Sequence, residues 1–127
     1  MTDVVLVTCA SLVGKPDPDD AILRDLLLAR GRSVAIVAWD DAGFDWGSAS
    51  FVLLRSTWDY FHRRDEFLAW ADRVAKVTSL HNPPDVLRWN THKGYLVELA
   101  AKGLPVVATE MIRAGSRTDL DRLLAER

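Results

Sequence analysis

The sequence predicts an α/β fold: an open, mainly parallel sheet with helices on both faces. The chain has 127 residues, of which 49% are hydrophobic and 27% charged, which suits one domain with a sizeable core. Short β-branched and aliphatic runs alternate with segments whose apolar residues recur at helical spacing. Strands separated by helices pair in parallel through right-handed crossovers, which explains the prediction of a covered parallel sheet.

Each predicted strand is a short apolar run bounded by polar or glycine-containing segments. The first, Val4–Val7, is a continuous run of the kind found in strands buried on both faces. A loop is expected over the polar segment Asp40–Ser50, between the second and third strands. The remaining predicted strands are Val34–Trp39, Phe51–Leu54, a short strand around Leu80, and Leu104–Met111.

The two strongest helices follow the first and third strands. In the first helix, Asp17 or Asp19 supplies the N-terminal cap and Gly31 ends the helix in a left-handed conformation. Its apolar stripe consists of Ile22, Leu23, Leu26, Leu27 and Ala29. The second helix covers roughly Asp65–Val77. Its predicted buried face consists of Phe67, Trp70, Ala71 and Val74.

Shorter helical segments are predicted toward the C-terminus. Asn82-Pro83-Pro84 must leave regular structure, and a turn of helix follows through Val86–Trp89. Another helix runs from about His92 to Lys102 and ends at Gly103. Thr118 is expected to cap a last amphipathic helix that continues to Glu126 and Arg127.

Composition and charge exclude several classes of protein. The net charge is −2 and the isoelectric point about 5.9, so nucleic acid and anionic membrane are not expected as partners. Cys9 is the single cysteine, which excludes an internal disulfide framework and a cysteine-built zinc site. Asp3 stands where a secretory signal would carry positive charge. We therefore expect a soluble, cytoplasmic protein.

Motifs for metal ions and nucleotides do not match. His62, His81 and His92 lie far apart without the paired spacing of a zinc site, so no metal ligands are predicted. Gly14-Lys15 resembles the end of a phosphate-binding loop, but Pro16 follows where serine or threonine is required. The missing glycine-rich loop also disfavours a small flavodoxin-like nucleotide binder.

The candidate binding loop follows the third strand, at the edge where open parallel sheets hold their ligands. Arg55 offers a planar set of donors that suits a carboxylate or phosphate. Ser56 and Thr57 could donate to anionic oxygens, and Asp59 could hold an ammonium group or cap a helix. Tyr60 completes the set. Two structural alternatives stay open: Arg55 could pair with Asp59, and Trp58 could belong to the core.

Lys93 is a second candidate cation. It is predicted to open the helix over His92–Lys102, where its charge opposes the helix dipole. A phosphate bound at that position would offset the repulsion. The alternative is a solvated lysine in the first turn.

Several segments carry a resemblance to a known family. Its two cores are residues 55–60, Arg-Ser-Thr-Trp-Asp-Tyr, and residues 82–96, which include Asn-Pro-Pro-Asp-Val-Leu-Arg-Trp-Asn at 82–90 and Lys-Gly-Tyr-Leu at 93–96. Phe-Leu-Ala-Trp at 67–70 and Gly-Leu-Pro-Val at 103–106 extend it. From Val4 to about Gly115, the chain resembles the N-terminal region of bacterial ATP-grasp ligases, and most closely the cycloserine-forming cyclo-ligases of antibiotic biosynthesis, the D-cycloserine synthetase subgroup.

The resemblance implies a Rossmann-like, pre-ATP-grasp domain that helps to bind a small amino-acid-like substrate. Such enzymes use ATP and Mg²⁺ to convert a carboxylate to an acylphosphate, which an amine then attacks. In the cycloserine-forming relatives, both groups belong to one O-ureido-serine-type molecule. The resemblance places Arg55 to Tyr60 on the substrate-facing loop and matches Lys93 with a lysine that reaches nucleotide phosphate. His92 stands where the family often has aspartate.

The resemblance also predicts the domain organisation. Residues 1–104 would form the pre-ATP-grasp domain, and residues 105–127 would begin the central ATP-grasp domain. The lid and the magnesium-binding acids would lie in further parts of a longer polypeptide, and these domains would be its partners. The 127 residues would not turn over ATP alone. The alternative is a stand-alone α/β binding or interaction module without catalysis, and homo-oligomerisation is left open.

Overall fold

The computed structural model describes residues 1–125. Its strands are β1 (Thr2–Thr8), β2 (Val34–Ala38), β3 (Ala49–Ser56) and β4 (Ser79–His81). Its α-helices are α1 (Pro18–Ala29), α2 (Arg64–Val74), α3 (Pro84–Asn90), α4 (Tyr95–Ala101) and α5 (Leu120–Ala125). The first three predicted strands and the two long helices therefore stand where the sequence places them.

The strands form one parallel sheet in the order β2-β1-β3-β4. Right-handed crossovers carry the chain from β1 to β2 in one direction and from β3 to β4 in the other. Consequently α1 and α2 cover opposite faces of the sheet. The predicted α/β class, with a parallel sheet and helices on both faces, is confirmed.

The hydrophobic core lies between the sheet and α2. All four residues predicted for the buried face of α2 are 3% exposed or less: Phe67, Trp70, Ala71 and Val74. They pack on residues of β1, β2 and β3 that point to the same face, among them Val5, Val37 and Val52. The edge of the Phe67 ring meets Trp39 at 5.4 Å between centroids, a favourable aromatic geometry.

The other long helix is different, because its apolar stripe is only partly covered. Ile22 is 59% exposed and Leu26 is 50% exposed. Asp20, a charged residue, is the one residue of α1 that is fully buried. Its burial points to a specific role for this carboxylate rather than to packing alone.

Helix ends agree with the sequence analysis at three positions. Asp17 is the cap of α1, and its carboxylate accepts from the Asp19 backbone N–H at 3.0 Å. Gly31 and Gly103 have φ of 74° and 76°, the left-handed conformation expected where a helix stops.

Two expectations near the C-terminus are wrong. Leu104–Met111 forms no strand, because no other described strand pairs with it, and Val107 is 82% exposed. Asp119, not Thr118, caps α5, since its carboxylate accepts from the backbone N–H of Arg122 at 3.1 Å. The predicted end of this helix at Glu126 and Arg127 lies outside the described residues.

The chain divides into two compact units. The first comprises Met1–Thr91 and contains the whole sheet, while the second begins at His92. No helix within residues 1–125 has the length and apolar character needed to cross a membrane.

Candidate functional site

The predicted loop lies at the topological switch point of the sheet. The chain leaves the neighbouring strands β1 and β3 toward opposite faces, which opens a crevice beyond their carboxyl ends. Open α/β sheets bind their ligands in such crevices. Thr8 ends β1 and Ser56 ends β3, and these two residues are paired in the sheet.

An irregularity in β3 sets the position of Arg55. Leu54 of β3 pairs with Val7 of β1. The next pair is Ser56 with Thr8, which leaves Arg55 without a partner residue on β1. Bulges of this kind re-aim side chains and are common beside functional sites. Arg55 is therefore turned out of the regular sheet at the mouth of the crevice.

A buried carboxylate holds the end of β3. Asp20, in the first turn of α1, is 1% exposed. One of its oxygens accepts from Arg55 Nε at 2.7 Å, and the other accepts from the Ser56 hydroxyl at 2.5 Å. Charge-assisted bonds of this kind offset the cost of burying a carboxylate. The helix and the strand are thereby joined by side chains at the switch point.

The hydroxyl hydrogens in this network have defined directions. Ser56 donates its hydroxyl hydrogen to Asp20, so the 2.8 Å contact between the Ser56 and Thr8 hydroxyls is donated by Thr8. Ser56 is 3% exposed and Thr57 is 8% exposed. In this arrangement the Ser56 hydroxyl donates its hydrogen to Asp20, so it does not donate to a bound anion. Binding of substrate by Ser56 and Thr57 stays a prediction.

Arg55 keeps donors available after pairing with Asp20. Its side chain is 35% exposed, and only its Nε is used. Within residues 1–125, no group bonds to its two terminal nitrogens. A guanidinium in this state can hold a carboxylate or phosphate with two parallel hydrogen bonds. The suggested pairing of Arg55 with Asp59 is wrong, because the partner is Asp20.

Asp59 and Tyr60 belong to a different set of contacts. Asp59 accepts from the indole N–H of Trp39 at 2.9 Å. The ring of Tyr60 packs on that of Phe67, with 5.3 Å between centroids. No contact among the described residues joins either side chain to Arg55. The other alternative, that Trp58 belongs to the core, is wrong, because Trp58 is 60% exposed.

Arg63 is the centre of an ion-pair cluster beside this loop. It pairs with Asp40 and lies 3.6 Å from Asp59 and 3.5 Å from Glu66. Its guanidinium carbon also lies 4.5 Å from the centroid of the Trp39 ring. The hydrogen bond to Asp40 raises the pKa of Arg63 further above its ordinary value. This arginine is thus occupied in holding the loops together.

Lys93 lies in the second unit, two residues before α4 begins at Tyr95. It therefore precedes the helix rather than opening it as expected. Its side-chain nitrogen lies 5.6 Å from the centroid of the Tyr95 ring, and the residue is exposed. The structure leaves its ammonium accessible, and its role toward phosphate stays a prediction.

A cavity of about 800 Å³ lies beside the candidate loop, and Trp39 and Arg63, which contact Asp59, are among its walls. It is bounded by α2 and the segment 39–47, with Phe44, Trp46 and Trp70 among its walls. The aromatic side chains of this wall pack edge to face, with 5.2 Å between the ring centroids of Trp46 and Trp70. None of the predicted site residues lines it. The switch point remains the better candidate, because the two terminal nitrogens of Arg55 have no partner within residues 1–125.

The sequence analysis missed Asp20. The signal was present in the run of acids that opens α1, Asp17, Asp19 and Asp20, of which only one was needed as a cap. Its pairing with Arg55 depends on the position of α1 against β3, which periodicity does not report. Within residues 1–125, no three His, Cys, Asp or Glu side chains are grouped so that they could hold a metal ion.

In parallel α/β sheets, the switch point at which this arginine lies is the usual place for a ligand. Residues 4–82 match the family model described as "D-cycloserine synthetase DcsG, N-terminal domain". The chain therefore belongs to this family, as the resemblance indicated.

Two relatives are similar over different shares of the chain. Cycloserine biosynthesis protein DcsG of Streptomyces lavendulae is 42% identical over 94 residues, which are 71% of this chain and 31% of that protein. The crystal structure of D-cycloserine synthetase DcsG superposes with a TM-score of 0.78 at 34% identity, covering 97% of this chain and 42% of that one. The chain thus spans less than half the length of either relative.

Proposed function

We propose that this chain is the substrate-binding part of an ATP-dependent carboxylate–amine ligase of the ATP-grasp type, acting in cycloserine formation. The substrate is an O-ureido-serine-type amino acid, which closes into a ring through an acylphosphate. The proposal is supported by family membership and by one observation: Arg55 presents at the switch point two nitrogens that no other residue of the described part of the chain bonds.

The chemistry of the substrate agrees with the donors at the site. An O-ureido-serine-type molecule carries a carboxylate, which suits the terminal nitrogens of Arg55. ATP, when bound, supplies the phosphoryl group that activates this carboxylate. Lys93 is the described residue that the resemblance assigns to nucleotide phosphate. The resemblance assigns the magnesium ligands to further domains of a longer polypeptide.

The proposal is tested by the affinity of the 127-residue chain for O-ureidoserine, measured by calorimetry with each enantiomer. Arg55→Ala should raise the Kd by at least about tenfold, because a charge-assisted pair contributes about 1.5–3 kcal/mol. Arg24→Ala is the matched control, since Arg24 also bonds a carboxylate through Nε and is 36% exposed. It should leave the Kd unchanged.

A ligand control identifies the group that Arg55 holds. The methyl ester of O-ureidoserine lacks the charged carboxylate, so it should bind weakly and equally to wild type and Arg55→Ala. If wild type and Arg55→Ala bind O-ureidoserine equally well, Arg55 does not hold the substrate. If wild type does not bind it at all, the stand-alone interaction module becomes the better reading.

A further inference from the structure

The carboxylate of Asp20 is unusual for its burial and for its two partners. A charged side chain 1% exposed costs free energy unless its oxygens are bonded. Both oxygens are bonded, one to Arg55 and one to Ser56. Asp17 already caps this helix, and although an acid in the first turn also suits the helix dipole, that role does not require burial against the sheet. The contacts of Asp20 instead reach the end of β3, where the candidate site lies.

The hydrogen bond to Asp20 determines which edge of the Arg55 guanidinium is available to a ligand. A guanidinium can bind a carboxylate through Nε and one terminal nitrogen, or through its two terminal nitrogens. Asp20 accepts from Nε of Arg55 at 2.7 Å, and no group within the described residues 1–125 bonds to the two terminal nitrogens. An arginine side chain without this bond would have several rotatable bonds to restrict when a ligand binds. Asp20 removes part of that freedom in advance.

We infer that Asp20 is a positioning residue for substrate binding, which fixes Arg55 so that its two terminal nitrogens meet the substrate carboxylate end-on. This inference rests on the proposed function, because it assigns the same carboxylate to Arg55. Asp20 itself does not touch the substrate. Its effect on affinity acts through the orientation and restricted motion of the guanidinium.

The decisive comparison is between two substitutions in the same buried network. Asp20→Asn keeps the shape of the side chain and removes its charge, while Thr8→Val removes the hydroxyl that donates to Ser56 and leaves the pair of Asp20 and Arg55 intact. Both should lower the melting temperature of the 127-residue chain. Only Asp20→Asn should raise the Kd for O-ureidoserine, by about tenfold, with Thr8→Val within about twofold of wild type.

A direct readout of the bond does not need a ligand. The Nε–H of Arg55 in wild type should give a nitrogen-15 signal protected from solvent exchange, assigned by its loss in Arg55→Lys. Thr8→Val should keep this protection and Asp20→Asn should reduce it, because a neutral amide oxygen is a weaker acceptor than a carboxylate. If Asp20→Asn fails to fold, the wild-type signal decides: an unprotected Nε–H overturns the inference, and a protected one supports it.

The outcomes separate the inference from the proposed function. Loss of binding in Arg55→Ala with unchanged binding in Asp20→Asn overturns the inference and leaves the proposed function standing. Equal effects of Asp20→Asn and Thr8→Val on Kd also overturn it, because the role is then merely structural. Equal binding by wild type and Arg55→Ala overturns the proposed function and, with it, the role of Asp20.

Discussion

Trp39 shows how a single residue links the candidate loop to the core. It is 2% exposed, yet its indole N–H reaches the Asp59 carboxylate at 2.9 Å. Replacing it by phenylalanine keeps an aromatic ring and removes that donor. Trp39→Phe should therefore lower the free energy of unfolding by about 1–3 kcal/mol, measured by urea denaturation.

The matched control for this change is Trp58→Phe. Trp58 is 60% exposed and has no ring contact or hydrogen bond among the described residues. The same substitution there should change the free energy of unfolding by less than about 0.5 kcal/mol. Equal destabilisation by the two substitutions would contradict the importance of the Trp39–Asp59 hydrogen bond.

At the same scale, the sequence predicts the type of a site residue better than its partner. Arg55 follows an apolar run, so its place at a strand end could be read directly. Its partner Asp20 could not be predicted in the same way. The contact depends on how α1 lies against β3, and β2 separates these two elements along the chain. Asp59, the partner suggested for Arg55 by its nearness in sequence, accepts a hydrogen bond from Trp39 instead.

At the scale of elements, a helix or strand was predicted correctly where its own residues are enough to form it. The buried face of α2 was predicted residue by residue, because helical spacing alone determines which side chains share a face. Leu104–Met111 has the composition of a strand but forms none, because a strand also needs a neighbour with which to exchange hydrogen bonds. Composition does not show whether that neighbour exists.

The start of β2 is fixed to β1 by a polar contact that depends on pH. The Asp3 carboxylate accepts from the backbone N–H of Ser33 at 2.8 Å and from its hydroxyl at 3.0 Å. The backbone bond, followed by the hydroxyl bond, holds the pKa of Asp3 below its ordinary value of 3.8. A lowered pKa in the folded state means that the contribution to stability is complete above the unfolded value. It is lost as the pH falls through the folded value.

Asp3→Asn tests this dependence, because asparagine does not titrate. The variant should be less stable than wild type near neutral pH, and the difference should shrink as the pH falls below about 4. Urea midpoints of both proteins across the acid range provide the measurement, with Asp25→Asn as an exposed control on α1. A difference that grows on acidification would show that the charge of Asp3 does not stabilise the fold.

At the scale of the whole molecule, alternation of strands and helices was sufficient to predict a parallel sheet. The order β2-β1-β3-β4 places a switch point between two strands that both end in hydroxyl residues, Thr8 and Ser56. That convergence is a property of the topology, and no local pattern in the sequence contains it. The domain boundary after residue 104, which the resemblance implies, stays a prediction.

The distribution of charged groups over the whole chain sets an expectation for nucleotide binding. Within residues 1–125, no three His, Cys, Asp or Glu side chains are grouped so that they could hold a metal ion, and the one cation assigned to phosphate, Lys93, is exposed beside Tyr95. A single exposed lysine gives weak affinity for a hydrated phosphate. The 127-residue chain should therefore show a thermal shift below about 1 °C with millimolar magnesium-ATP, because stabilisation by a ligand requires its concentration to exceed the Kd.

O-ureidoserine in the same thermal-shift assay is the positive control, since its proposed site lies within the first unit. It should raise the melting temperature of wild type and not that of Arg55→Ala. A shift of several degrees with magnesium-ATP that Lys93→Ala abolishes would contradict the expectation. It would mean that residues around Lys93 suffice for the nucleotide, so that phosphate binding and substrate binding would both reside in this chain.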